Sequence, residues 1–160
     1  MSTWVREGIS PKEVVMEELW ALPPTPPASD AATRRAMQGN RRTDTAPEVA
    51  LRHALHKLGY RFRKDFVIQA EDARTHADIV FTRRRVIVFV DGCYWHGCPA
   101  HCRVPERNRD YWLAKIGRNR SRDAKLTVAL RKAGWNVVRV WEHEPLEEAV
   151  TRVCNTLSAS

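Results

Sequence analysis

The run Val86-Ile87-Val88-Phe89-Val90 constrains the fold more than any other stretch. Five consecutive apolar residues cannot alternate between a wet face and a dry one, so the run reads as a buried strand. Asp78-Ile79-Val80-Phe81 precedes it and Thr82-Arg83-Arg84-Arg85 joins the two. That pattern predicts an antiparallel hairpin whose first strand Asp78 opens. A tight turn centred on residues 83–84 sets Asp78 opposite Phe89 or Val90, with Asp91 immediately after. Upstream, Thr45-Ala46-Pro47-Glu48 is a capping box with proline in the first turn, where its missing N–H costs nothing. Leu51, Leu55 and Leu58 follow at helical spacing, and Gly59 stops the helix. Residues 60–67 read as a strand, 110–133 as a long basic helix ended by Gly134, 135–141 as a last strand and 145–157 as a terminal helix. A strand, a helix and a strand in succession predict a right-handed crossover between parallel strands. The expected fold class is α/β, a mixed central sheet flanked by helices.

A chain of 160 residues, 43% hydrophobic and 29% charged, is long enough for one packed core and too apolar to be disordered. No apolar run approaches the ~20 residues of a membrane span. Met1 to Glu7 lacks the apolar core of a signal peptide, so a cytosolic protein with no membrane partner is expected. The net charge of +8 is unevenly spread. Residues 1–30 hold two bases and five acids, a net of −3, and the rest of the chain carries +11. Such a surplus on one domain points to a polyanion, nucleic acid above all. Pro23-Pro24-Thr25-Pro26-Pro27 is a stiff linker. It marks off an acidic, proline-rich arm over 1–30, with a short helix over 11–20, from a folded domain over 31–160.

Cys93, His96, Cys98, His101 and Cys102 put five soft or borderline ligands into ten residues. In a reducing compartment such a cluster favours a metal over disulfides. Zinc takes four nitrogen or sulfur ligands in a tetrahedron. Cys93, Cys98 and one or both of His101 and Cys102 offer them, with His143 the best remote candidate because it follows the last strand. His96 is then either a ligand or free for acid–base work, since imidazole titrates near neutrality.

Asp78, Asp91 and a strand-end carbonyl converge on one sheet edge, a set of hard oxygen ligands suited to Mg²⁺. As a bare strand-start residue, Asp78 would need no such role. Glu48 lies three, seven and ten residues before Leu51, Leu55 and Leu58 and shares their buried face. An inward carboxylate is costly unless bonded or near a cation. The capping box also accounts for it. On the long helix, Lys115, Asn119 and Asp123 lie at i, i+4 and i+8 on one face, either solvated or lining a site. Tyr94 and Trp95 stand amid polar loop residues, where rings beside a basic surface stack on bases or wedge between base pairs. Trp112 reads as a DNA contact or as core, and Trp135 and Trp141 as core.

The ordered motifs resemble those of the very-short-patch repair (Vsr) endonucleases, bacterial DNA mismatch nickases, over about residues 33–144. The matching residues are Thr33-Arg34-Arg35-Ala36-Met37, Arg42-Thr43-Asp44-Thr45-Ala46-Pro47-Glu48, Asp78-Ile79-Val80 and Val90-Asp91-Gly92-Cys93-Tyr94-Trp95-His96. They continue through Tyr111-Trp112-Leu113-Ala114-Lys115-Ile116, Asn119, Arg122-Asp123, Gly134-Trp135 and Val140-Trp141-Glu142. The resemblance implies a restriction-endonuclease-like fold with a structural zinc site. It implies Mg²⁺-dependent hydrolysis of one strand of double-stranded DNA beside a T:G mismatch, the lesion left when 5-methylcytosine deaminates, with a 5′-phosphate as product. It also implies a bacterial monomer of the cytoplasm, working at the nucleoid, with mismatch-repair proteins as candidate partners.

By the same resemblance, Asp78 is the central Mg²⁺ carboxylate and the main-chain carbonyl of Val90 a second ligand. His96 is the catalytic histidine acting on the attacking water, supported by Glu48 and by Asp123 as a helper carboxylate. Tyr94, Trp95 and Trp112 fall at the DNA wedge, with Lys115 and Asn119 beside it. Cys93, Cys98, His143 and one of His101 or Cys102 are the zinc ligands. This chain departs from the pattern in three places. Asp91 stands where the family can carry histidine, adding a metal ligand or altering the role of His96. His143 stands where the family can carry cysteine. Val88-Phe89-Val90 stands where the fold usually shows a second acid and a lysine, so His96 has to compensate. Two other readings accompany this one: a restriction or defence nuclease of the same fold acting on matched or modified duplex, and a zinc-stabilised DNA-binding module without catalysis.

Overall fold

The computed structural model describes residues 24–27, 31, 43–70 and 73–160. The expected helix over 11–20, the boundary near residue 30 and the motif over 33–37 lie outside the described residues. Helix α1 (Ala46–Lys57) starts where the capping box placed it, and the Thr45 carbonyl accepts the Val49 N–H at 3.0 Å. Strands β1 (Arg63–Ala70), β2 (Ala73–Phe81) and β3 (Val86–Asp91) follow, then helix α2 (Arg109–Lys132), strand β4 (Asn136–Trp141) and helix α3 (Leu146–Ser158). The described strands form one mixed sheet in the order β1-β2-β3-β4. Its first three strands are antiparallel neighbours, and β4 runs parallel to β3.

Two layers explain the uninterrupted apolar run. Val86 and Val88 pack with Leu51 and Leu55 of α1 and with Ala149, Val153 and Leu157 of α3. Ile87 and Phe89 point to the opposite face, where Leu130 of α2 and Ile68 of β1 cover them. Alternate side chains of a strand face opposite ways, so a strand covered on both sides must be apolar at every position.

The hairpin register pairs Phe81 with Val86 and Ile79 with Val88, which carries Asp78 to the level of Phe89, as its sequence predicts. Asp78 does not open its strand, however. It is the sixth residue of β2, because Arg74, Thr75 and His76 pair with Gln69, Ile68 and Val67 of β1 beyond the reach of β3. Likewise β1 begins at Arg63 rather than Tyr60. Tyr60 and Phe62 instead meet Phe81 edge-on, with centroids 6.1 and 5.8 Å away. Leu58 caps the C-terminus of α1 and is 60% exposed, so the buried face of that helix is Glu48, Leu51, Arg52 and Leu55. Trp135 packs at the margin of the α2-side core. Trp141 is half-buried and stacks on His143, with an interplanar angle of 21°, instead of entering the core. No helix among the described residues is long and apolar enough to cross a membrane.

Candidate active site

A cleft of about 1100 Å³ opens where β2 and β3 meet α2, and Glu48, Asp78, Val90, Asp91, His96 and Asp123 all line it. Strand pairing sets Asp78 beside the end of β3, and its Oδ2 accepts the Val90 N–H at 2.7 Å. Burial pushes the Asp78 carboxyl up to about 6. The charges of Glu48 and Asp91 push the same way, while the Val90 N–H and Arg52 pull against them. An acid raised by burial and by neighbouring carboxylates marks a site whose repulsion a divalent cation relieves, and carboxylate oxygens suit a hard one.

Glu48 is 4% exposed and serves both readings of its position. Its Oε1 accepts from the Thr45 hydroxyl at 2.8 Å and its Oε2 from the Asp44 N–H at 2.9 Å. Arg52, one turn on, reaches Oε2 at 3.5 Å and also pairs with Asp44. The carboxylate is thus held at the helix start while its charge bears on Asp78.

His96 lies in the loop after β3. Its Nδ1 is 2.5 Å from Asp123 Oδ2 on α2 and 3.6 Å from Asp91 Oδ1. Burial alone would raise Asp123, but the His96 hydrogen bond and the Arg139 charge hold it below the usual carboxylate range. A charged carboxylate accepts from Nδ1–H, which leaves the Nε2 lone pair free to take a proton. Arg139 of β4 grips both oxygens of Asp91, Nε and Nη2 each at 2.6 Å. Asp91 is therefore committed to a guanidinium rather than offered to a metal.

The loop over 91–102 folds back on itself. The amides of His96, Cys98 and Cys102 donate to the carbonyls of Gly92, Cys93 and Cys98. Gly97 sits at φ +65°, and a Cβ there would come within 2.7 Å of Ile116 on α2, so only glycine lets the loop lie this close. Cys93, Cys98, His101 and His143 converge with their donor atoms all within 4.8 Å of one another. Cys102 is outside the group, its Sγ 3.7 Å from the Tyr94 carbonyl, and His96 is outside it too. Burial, then the neighbouring Cys98, push the Cys93 thiol up to about 12. Two cysteines and two histidines at this spacing fit a tetrahedral, borderline-soft cation, which would ionise those thiols.

Tyr94, Trp95 and Trp112 meet edge to face, with centroids 5.1 to 6.1 Å apart. Trp112 is 9% exposed and backs the other two rings, which are half-buried. The face predicted for Lys115, Asn119 and Asp123 exists, yet each residue meets a different group. Lys115 Nζ hangs over the Trp95 and Trp112 rings at 5.3 and 5.4 Å. Asn119 Nδ2 donates to the Trp95 carbonyl at 2.8 Å, and Asp123 holds His96. Sequence reasoning missed Arg139 and Glu142, whose Oε1 accepts the Cys93 N–H at 2.6 Å. The signal for Arg139 was a lone cation in the apolar run Val137-Val138-Arg139-Val140.

Residues 28–103 match the family described as DNA mismatch endonuclease Vsr. The chain is 53% identical over 133 residues to the type II nicking enzyme V.NaeI of Lentzea aerocolonigenes, a match spanning 82% of this chain and 80% of that one. It is 36% identical over 117 residues to the DNA mismatch endonuclease Vsr of Escherichia coli K12, spanning 71% of each. The chain belongs to the Vsr family. It is accordingly a DNA endonuclease, a hydrolase, and Vsr nucleases act on double-stranded DNA. The four-stranded sheet with helices on both faces agrees with a Vsr nuclease fold. A third relative, the type II nicking enzyme V.XorIIP of Xanthomonas oryzae pv. oryzae, is 44% identical over 69% of this chain and 79% of its own. Membership in a Vsr family of named nucleases sets aside the binding module without catalysis. The stretch matched to the Vsr family holds Glu48, Asp78 and the loop through Cys102, while Asp123, Arg139 and His143 lie beyond it.

Proposed function

We propose that this Vsr-family protein is a Mg²⁺-dependent, strand-specific endonuclease that nicks duplex DNA at T:G mismatches left by deamination of 5-methylcytosine. The observation that carries the reading is a His96–Asp123 pair, outside the Cys/His cluster, in the cleft that also holds Asp78. Bound by Asp78 and the Val90 carbonyl, Mg²⁺ would supply Lewis-acid polarisation of the scissile phosphate. His96 Nε2 takes a proton from the attacking water while Asp123 steadies the imidazolium. The water oxygen bonds to phosphorus in line and the P–O3′ bond breaks; the departing O3′ takes a proton from solvent, leaving a 3′-hydroxyl and a 5′-phosphate. Glu48 supports Asp78 from α1.

Zn²⁺ on Cys93, Cys98, His101 and His143 would pin the loop that carries Tyr94, Trp95 and His96. Tyr94 and Trp95, backed by Trp112 and flanked by Lys115 and Asn119, form the wedge that enters the stack. The fold is read as restriction-endonuclease-like. The protein would work as a monomer at the nucleoid in the bacterial cytoplasm, with mismatch-repair proteins as candidate partners.

One observation favours a second reading, nicking of matched or modified duplex in restriction or defence. The relative at 53% identity is called a type II nicking enzyme, whereas the one called a mismatch endonuclease is at 36%. Three duplexes of one sequence separate the two: T:G, matched C:G and 5-methylcytosine:G, each strand end-labelled, with Mg²⁺ and with EDTA. Opening a mispaired step costs a few kcal/mol less than a matched one, so the T:G duplex is expected to be cut on one strand about 100-fold faster than the others. Equal rates on all three would transfer the assignment to the second reading. No product from any duplex would remove both.

A further inference from the structure

Two carboxylates contend for one imidazole nitrogen. Asp123 Oδ2 holds His96 Nδ1 at 2.5 Å, and Asp91 Oδ1 waits at 3.6 Å. The side chains are 14% and 7% exposed, so water satisfies neither acid cheaply. One Nδ1–H serves one of them. Asp123 stands on α2 and Asp91 at the end of β3, so the outcome decides which element anchors the ring and where Nε2 points in the cleft.

Arg139 decides the contest. Its Nε and Nη2 close both oxygens of Asp91 at 2.6 Å, the fork geometry in which a guanidinium matches a carboxylate. Nη2 also lies 3.4 Å from Asp123 Oδ2, which lets two like charges share the site. The arginine is itself fixed. It stands opposite Phe89 in the parallel register, with its guanidinium 5.1 Å over that ring. Its Nη1 lies 3.5 Å from the Thr127 hydroxyl, which donates to the Asp123 carbonyl.

We infer that Arg139 is a positioning residue of the nuclease: by occupying both oxygens of Asp91 it reserves the His96 Nδ1–H for Asp123 and fixes the direction of Nε2. The inference rests on the reading of His96 as the base. It makes Arg139 and Asp91 a unit, in which the arginine is needed because the acid is there. Losing Arg139 frees Asp91 to draw the ring off Asp123, and neutralising Asp91 as well removes the competitor.

The test compares single-turnover nicking, DNA affinity and the low-field imidazole proton of wild type, Arg139→Met and Asp91→Asn/Arg139→Met. A base displaced by about 1 Å costs about 100-fold, so Arg139→Met is expected to nick about 100-fold slower with DNA affinity within about threefold of wild type. The double variant, which keeps the net charge, is expected to recover to within about fivefold of wild type, a non-additivity that contact partners show. The low-field proton, identified by its absence in Asp123→Asn, should shift in the single variant and return in the double. Arg139→Met as fast as wild type, or a double variant about 100-fold impaired, would overturn the assignment. The double variant decides between these outcomes even where Arg139→Met does not fold. Wild type is the control: no nicking by it would overturn the proposed function itself, whereas nicking by it beside unimpaired variants overturns only the role of Arg139.

Discussion

Asp78→Asn is expected to abolish nicking and, without added metal, to make the protein more stable. The carboxyl ionises at about 6 in the folded chain, against about 3.9 in an unfolded one. The folded state therefore binds the proton more tightly. Between pH about 4 and about 6 the unfolded chain has released it and the folded chain retains it, so stability falls as pH rises through that window. Above it the full penalty of a buried charge is carried, about 2–3 kcal/mol for a shift of this size. Asparagine keeps an oxygen for the Val90 N–H and carries no charge, so the thermal midpoint near neutral pH should rise by roughly 5–10 °C. Mg²⁺ should reverse the order, raising the midpoint of wild type and leaving the variant unmoved. DNA affinity should be equal or tighter, since one negative charge has left the cleft proposed to receive phosphates. Retained nicking, or a variant no more stable than wild type at neutral pH, would contradict the assignment of Asp78.

His143→Ala is expected to release zinc and silence the enzyme while the sheet stays folded. The other three donors of the cluster lie within Cys93 to His101, and His143 alone ties that loop to the strand end after β4. Structural zinc sites contribute about 10–16 kcal/mol in isolated zinc-finger peptides, far more than the loop's few backbone hydrogen bonds. Both core clusters are built from helices and strands and contain no residue of 92–102. Far-UV circular dichroism should therefore hold, the near-UV signal of Tyr94 and Trp95 should collapse, and nicking should fall below detection. Cys102→Ala should keep the metal, because that thiol faces the Tyr94 carbonyl. Zinc retained by His143→Ala, or lost by Cys102→Ala, would contradict this ligand set.

Local rules made much of this legible. The apolar run and a four-residue turn fix a hairpin register, and the register carries Asp78 to the level of Phe89, where its carboxylate meets the Val90 N–H. The capping pattern and helical spacing buried Glu48 correctly. What escaped depends on neighbours remote in sequence. Arg74-Thr75-His76 has no apolar run to mark it, and is strand because β1 pairs with it. Arg139 sits opposite Phe89 and reaches Asp91 only once the parallel register of β3 and β4 is known. His101 and Cys102 are adjacent, so spacing cannot separate them. The turn that gives the Cys102 amide to the Cys98 carbonyl does, sending one side chain to the cluster and the other away. Trp141 shows the converse failure: its strand period suggested core, and a neighbouring histidine took the ring instead.

The proposed chemistry depends on an imidazole that lies outside the Cys93, Cys98, His101 and His143 cluster. His96→Ala, assayed for zinc content and for single-turnover nicking in the same preparation, tests that directly. The expected result is the same zinc content as wild type with a nicking rate about 10³-fold lower, the scale of a lost general base. Loss of zinc from this variant, or nicking within about threefold of wild type, would contradict it.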